Sequence, residues 1–302
     1  MESLYVCMTM DVERVREFSP IGGPPTWEFG ERSVRSYCEF LAAEGLPPTL
    51  FVVPDTAAEQ GAVLRQIAGD TGAELGMHIH PDYWGDHCKN PEVHDCLGGY
   101  AEIQQRDLLA RALAEVEAGL GMRPRAFRGG NFSANDATFP VLVDLGFTHG
   151  SVSQPGRVVP RVRAVWAGAC PDVHRAHGAF RLVAGDLDFV EVPLTSDRER
   201  RDHWTGVGDV RFEGATADQV TKAARQEVSR QMEESSLLKH VCFLTHSSVN
   251  YWSEDEVKGG RRGVLKRVVA ELRRLAADLD LEVQGATLDL VRRDFLAAAG
   301  SA

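Results

Sequence analysis

Along the whole chain, short apolar runs alternate with stretches of helical period, and no long linker separates them. A strand that leads into a helix and then into another strand returns in the same direction, so repeated units of this kind build a parallel sheet. SLYVCMTM reads as a buried strand ending at Asp11, GERSVRSYCEFLAAEGL as a helix with a glycine stop, and PPTLFVVP as a strand bounded by prolines. TAAEQGAVLRQIAGDTG follows as helix, AELGMHIHP as strand, YAEIQQRDLLARALAEVEAGLG as a long amphipathic helix, RPRAFRGG as strand and turn, NDATFPVLVDLGF as helix and THGSVS as a short strand. The stretch from Gln154 to Arg181 is irregular, and composition leaves open whether it is an insertion or a lid. Beyond it, LDFVEVPLT and HVCFLTHSS read as strands, TADQVTKAARQEVSRQMEESS and GVLKRVVAELRRLAADLD as helices, and LEVQGATLDLVRRDF closes the chain. One α/β domain over residues 1–302, most economically a (β/α) barrel, accommodates this order.

The 302 residues are 43% hydrophobic and 25% charged, enough to bury a large core. A formal charge of -11 and a pI near 5.4 argue against nucleic acid or an anionic membrane as partner, because both are bound through clustered Lys and Arg. A small-molecule substrate fits better. Six cysteines (Cys7, Cys38, Cys88, Cys96, Cys170, Cys242) are scattered without CxxC spacing, the usage of buried thiols in a reducing compartment. The opening MESLYVCMTMDVE lacks the basic segment, apolar run and small-residue cleavage site of a secretory signal. No stretch approaches the roughly 18 apolar residues of a membrane span. These features place the protein in the cytoplasm, with a homo-oligomer compatible with them.

Chemistry in a βα barrel is carried at the C-terminal ends of the strands. Three candidate strands end in ionisable groups: Asp11 and Glu13 in TMDVE, His78 and His80 in GMHIHPD, and His246 in FLTHSS. Residues two apart on a strand face the same side, so each of the first two pairs converges. A lone histidine on a strand is more often a satisfied core or surface residue. Two imidazoles with one or two carboxylates, however, form a set suited to zinc or a similar divalent cation, with positions left for water and substrate. His87, Cys88, His94 and Cys96 are a second conceivable cluster, but their spacing fits no closed structural-zinc pattern, and a substrate-facing loop is the better expectation. His149, His174, His177, His203 and His240 are expected to be solvated in helix ends and loops.

In their order these segments resemble the motifs of the polysaccharide deacetylase family (NodB homology domain), and the resemblance spans most of the chain. TMDVE at 9–13 is similar to the family's TFDD or its spaced DxD/DxE variant, and PTLFVVP at 48–54 to ATFFV. ELGMHIHP at 74–81 is similar to EIGNHTxxHP, which carries two metal-binding histidines. FRGGNFSANDATFPVLVDLGF, from Phe127 to Phe147, matches an arginine-bearing strand end before a helix, and LTHSS matches the late LxHS with His246. Two departures stand out: the family spaces its metal histidines four apart whereas here they form HxH, and Val12 separates Asp11 from Glu13 where the family has adjacent aspartates.

The resemblance implies a distorted, NodB-like barrel of about seven strands. It implies a divalent cation, zinc first, with cobalt, nickel or manganese as alternatives, held by Glu13, His78 and His80. Asp11 matches the general base, although strand geometry lets either carboxylate face the metal and the two roles are interchangeable on the sequence. His246 would protonate the leaving amine, and Arg128 would orient or tune the base through an ion pair. Backbone N–H groups near Arg128 to Asn131 are candidate oxyanion donors. Asn131, Tyr83 and Trp84 are expected as walls of the substrate pocket. The function implied is metal-dependent removal of an acetyl or other acyl group from the nitrogen of a small substrate, such as an N-acetylated amino sugar or a biosynthetic intermediate. Hydrolysis of a cyclic amide or imide by an allantoinase-like branch of the same fold is the first alternative. An amidohydrolase barrel carries its HxH on the first strand, unlike this chain. A metal-binding or sugar-binding module without catalysis would need His78 and His80 but not Asp11 or His246.

Overall fold

The structure, a computed structural model, describes residues 2–18, 22–81, 96–201 and 206–300. Strand β1 (Glu2–Val12) is buried continuously from Leu4 onward, as expected of a parallel strand covered on both faces. Helix α1 (Trp27–Ala43) starts where the Thr26 hydroxyl accepts from the Phe29 N–H, and it buries Val34, Tyr37, Cys38 and Leu41 on one face. The chain returns as β2 (Thr49–Val52). Helix α2 (Pro54–Thr71) opens on the proline that the sequence pattern assigns to the strand, since a proline is well suited to a first helical turn. It delivers β3 (Glu74–Ile79), and α3 (Glu102–Leu120) then leads to β4 (Ala126–Gly129). Next come α4 (Thr138–Asp144) and β5 (His149–Gly150).

The irregular middle is packed. It holds an antiparallel pair, β6 (Val158–Val159) and β7 (Ala164–Val165), then β8 (His174–Arg175), which runs antiparallel to β9 (Val190–Glu191). Trp166 in this stretch is fully buried, and its indole N–H donates to the Phe132 carbonyl at 2.8 Å. The chain ends with α5 (Ala217–Glu233), β10 (Lys239–His246), α6 (Arg262–Asp278), β11 (Leu281–Gly285) and α7 (Leu288–Ala299).

The sheet order is β10-β1-β2-β3-β4-β5-β9-β8, parallel from β10 through β9. That is the curled run of about seven strands expected from the sequence. β1 is shared on one side, pairing β11 along Glu2–Val6 and β2 along Thr9–Val12. The segment after β9 meets β10 where Thr195 N–H donates to the Cys242 carbonyl at 2.9 Å and Cys242 N–H to the Thr195 hydroxyl at 3.0 Å, a contact rather than a ladder. β5 and β9 are shorter than their apolar runs suggest. After Gly150 the Val152 and Ser153 N–H groups turn to the Glu191 carboxylate at 2.8–2.9 Å, which interrupts the ladder before Leu194 N–H donates to the Ser153 carbonyl at 3.0 Å.

Three histidines expected in solvent are buried instead. His149 pairs through Nε2 with Glu74 at 2.5 Å, His174 Nδ1 donates to the Asp172 carbonyl at 2.7 Å, and His240 Nδ1 accepts from Gln231 at 3.0 Å. His149 and His240 are met by side chains that the fold brings to them and His174 by a carbonyl two residues before it, and a partner of this kind is what makes burial of a polar ring tolerable.

Candidate active site

Because the strands are parallel, their C-terminal ends lie together, and register decides which side chains become neighbours. Asp11 pairs across β1–β10 with His246, and His78 across β3–β4 with Arg128. Glu13 and His80 lie just beyond their strand ends and continue the two-residue alternation. Glu13 Oε1 stands 3.3 Å from His78 Nε2 and 3.2 Å from His80 Nε2, and the three ligand atoms lie within 4.8 Å of one another. Glu13 and His78 are buried, while the His80 side chain keeps 11% of its exposure.

The His78 tautomer follows from its surroundings. Nδ1–H donates to the Arg128 carbonyl at 2.9 Å, leaving a lone pair on Nε2, which is buried without a hydrogen-bond partner. A lone pair facing a carboxylate oxygen 3.3 Å away is repulsive unless a cation lies between them. These two edges, 3.3 and 3.2 Å, are close to those around a tetrahedral ion with bonds of about 2.0–2.1 Å, for which ligand atoms lie roughly 3.3–3.4 Å apart. Two imidazoles and one carboxylate therefore fit a zinc-like divalent ion and leave coordination open, the hallmark of a catalytic site. His80 reaches the group because residue 130 is glycine: a Cβ there would lie 2.6 Å from the His80 ring.

Asp11 is held differently. Its Oδ1 accepts from Arg128 Nη1 at 2.9 Å, and its Oδ2 lies 3.7 Å from His78 Nε2 and 3.9 Å from His246 Nε2. Arg128 is fully buried, donating also to the Thr9 hydroxyl at 2.8 Å and the Ser151 carbonyl at 3.1 Å, with its guanidinium 4.3 Å over Phe51. Burial alone would raise the Asp11 carboxyl, but His78, Arg128 and His246 outweigh it and hold the group below the usual carboxylate range. Burial also opposes ionisation of Glu13, but the adjacent His80 and His78 outweigh it and hold the carboxyl well below that range. Of the two carboxylates left interchangeable by the sequence, Glu13 is the one against both imidazoles.

His246 Nδ1 is hydrogen-bonded to Glu213, a residue on the loop before α5 that the sequence pattern does not single out. Burial pushes the His246 imidazole down, but Glu213 and Asp11 outweigh it and raise it above its ordinary value. The groups open into a cavity of about 650 Å³, lined by Asp11, Glu13, His80, Asn131, Phe132, Glu213 and His246 with Arg157, Asp209, Arg200 and Arg211. Asn131, expected at the pocket, is there; it and Phe132 both take left-handed backbone, φ 56° and 57°, uncommon for side chains other than glycine. Tyr83 and Trp84, together with His87, Cys88 and His94, lie outside the described residues. Among the described residues the cysteines are free thiols, and Cys96 donates to the Arg161 carbonyl at 3.5 Å.

Comparison with solved structures places this architecture. The chain superposes on a structure from Mycobacterium smegmatis described as a polysaccharide deacetylase, with TM-score 0.63, 19% identity, and 98% of this chain and 91% of that one covered. It has the polysaccharide deacetylase fold. A polysaccharide deacetylase structure from Pseudomonas aeruginosa shares this fold at TM-score 0.57 and 15% identity, over 97% of this chain and 90% of that one. The PuuE allantoinase matches at TM-score 0.57 and 14% identity, over 97% and 90%. No protein-family model and no curated protein matches the sequence. Among the described residues, no helix of this deacetylase-like fold is long and apolar enough to cross a membrane.

Proposed function

We propose that the chain is a metal-dependent hydrolase that removes an acetyl or related acyl group from the nitrogen of a small substrate. The observation that carries this reading is the facing of His78 Nε2 and Glu13 Oε1, two buried acceptors that call for a cation, beside two separately supported proton-transfer groups, Asp11 and His246. Zinc suits the donor set best, with cobalt, nickel or manganese as alternatives. The continuous sheet supports a single domain.

When bound by Glu13, His78 and His80, the metal would polarise the acyl carbonyl and make hydroxide available near neutral pH. Asp11, kept anionic and oriented by Arg128, takes the proton of the attacking water. His246 donates its Nε2 proton to the departing nitrogen as the C–N bond breaks, and Glu213 steadies the opposite ring nitrogen. Asp11 Oδ2 and His246 Nε2, 3.9 Å apart, are close enough for base and acid to reach one reacting centre. Gly129, Asn131 and Phe132 on the pocket wall face the substrate side.

The test is acetate release from N-acetylated amines by the metal-loaded protein. Asp11→Asn is expected to keep the metal and lose at least ~100-fold in kcat, within the range of a general base. Release of ammonia or a ring-opened product from a cyclic amide, without acetate release, would move the assignment to cyclic amide hydrolysis. No turnover by wild type, with ligand binding undiminished in Asp11→Asn, would leave a binding module.

A further inference from the structure

From the charge on the cavity wall we infer that the substrate carries an anionic oxygen group, a carboxylate or a phosphate, on its amine-bearing half, held by Arg200 and Arg211. This rests on the deacetylase reading for the position of the amine and deepens it by naming the substrate class.

The chain as a whole is acidic, with 44 Asp and Glu against 33 Lys and Arg, yet three guanidinium groups, Arg157, Arg200 and Arg211, line one cavity of about 650 Å³. Each carboxylate that shares it has a partner on at least one oxygen, although Glu213 Oε2 has none among the described residues. Asp11 is bridged to Arg128, Glu13 faces the two imidazoles, Glu213 is bonded to His246, and Asp209 accepts from Arg211 Nε at 2.6 Å. Asp209 therefore offsets one arginine, and among the described residues Arg200 forms no ion pair. Among the described residues its Nη2 donates to the backbone carbonyl of Asp209 alone, and its Nε is buried without a hydrogen-bond partner. With Nε packed against Gly208 and Nη2 on a carbonyl, Nη1 is the end of the Arg200 guanidinium left for a ligand in the cleft, and a guanidinium placed there is matched to a carboxylate or phosphate.

Described residues on either side of 202–205 hold Arg200 in place. Asp197 and Gly208 exchange backbone hydrogen bonds of 3.1 and 2.9 Å, and the Asp197 carboxylate accepts from the Arg200 N–H at 3.1 Å. A Cβ on residue 208 would lie 2.6 Å from Arg200 Nε, so glycine makes room for the guanidinium. Arg211 lies two residues before Glu213, the partner of His246. That adjacency puts the anion on the side where the leaving amine is protonated, rather than on the acyl side.

The experiment compares N-acetylglucosamine with N-acetylglucosamine 6-phosphate and N-acetylglutamate, in acetate release and in calorimetric binding, using the zinc-loaded full chain. One or both anionic probes should be preferred by about 10- to 100-fold, the worth of a charge-assisted contact; which of the two is preferred separates phosphate from carboxylate. Arg200→Gln and Arg211→Gln should each shrink that ratio, and Arg200→Lys should restore part of it, which a merely structural role for Arg200 would not do. Equal turnover and binding of neutral and anionic probes would overturn the inference while leaving the deacetylase reading intact. Arginine-dependent anion binding with no acetate released from any probe would do the reverse.

Discussion

Replacing Gly130 with alanine separates metal binding from folding. The added Cβ would stand 2.6 Å from His80 Cε1 and Nδ1 and 2.8 Å from Nε2, while ordinary contact begins at 3.4 Å. The ring must therefore retreat by about 0.8 Å, several times the ~0.2 Å within which metal–ligand distances are held. Such a displacement opens the 3.2 Å edge between His80 and Glu13. We expect zinc affinity to fall by about 100-fold, equivalent to ~2.7 kcal/mol. The metal-free protein should lose less than ~1 kcal/mol, because the clash is with a partly exposed side chain that can turn away. Competition with a chromophoric chelator measures the first quantity and urea unfolding of the metal-free protein the second. Zinc affinity within threefold of wild type would refute the placement of His80 in the ligand set.

Arg128→Met should destabilise the protein by ~3–5 kcal/mol in urea unfolding, because it leaves Asp11 buried without its cation. Glu213→Gln removes the main contribution raising His246; if His246 must be protonated to act, the alkaline limb of the kcat–pH profile will move to lower pH. Glu191 is fully buried, and burial pushes its carboxyl up to about 7 even though Ser153 and Val152 donate to it. With its folded pKa above its unfolded value, it contributes stability below about pH 4.5 that is lost as pH rises through about 7, roughly 3 kcal/mol in all. Glu191→Gln should thus gain stability relative to wild type between pH 5 and pH 8 in paired denaturation curves, and a pH-independent difference would show that this carboxyl does not titrate there.

The Glu13–His78–His80 group was legible because parallel strands impose two simple rules. Side chains two apart share a face, and strand ends cluster, so Asp11, Glu13, His78, His80 and His246 follow from local spacing once the βα alternation is seen. What spacing leaves open is the division of labour between Asp11 and Glu13. The Arg128 guanidinium 2.9 Å from Asp11 and the two imidazoles beside Glu13 separate them, and both depend on strand order. Glu213, Arg200 and Arg211 were not legible, because they lie between β9 and α5 where the chain has neither a period of two nor of 3.6. The burial of His149 is hidden from the sequence for a related reason: Glu74 is 75 residues away and becomes its neighbour only through the order β3-β4-β5.

The most direct test of the central claim is elemental analysis of the purified protein after supply of zinc or cobalt, beside His78→Ala/His80→Ala. The account predicts about one divalent ion per chain in wild type and a loss of that ion in the double variant. Metal retained at full stoichiometry in the variant, or absent from both proteins, would contradict it.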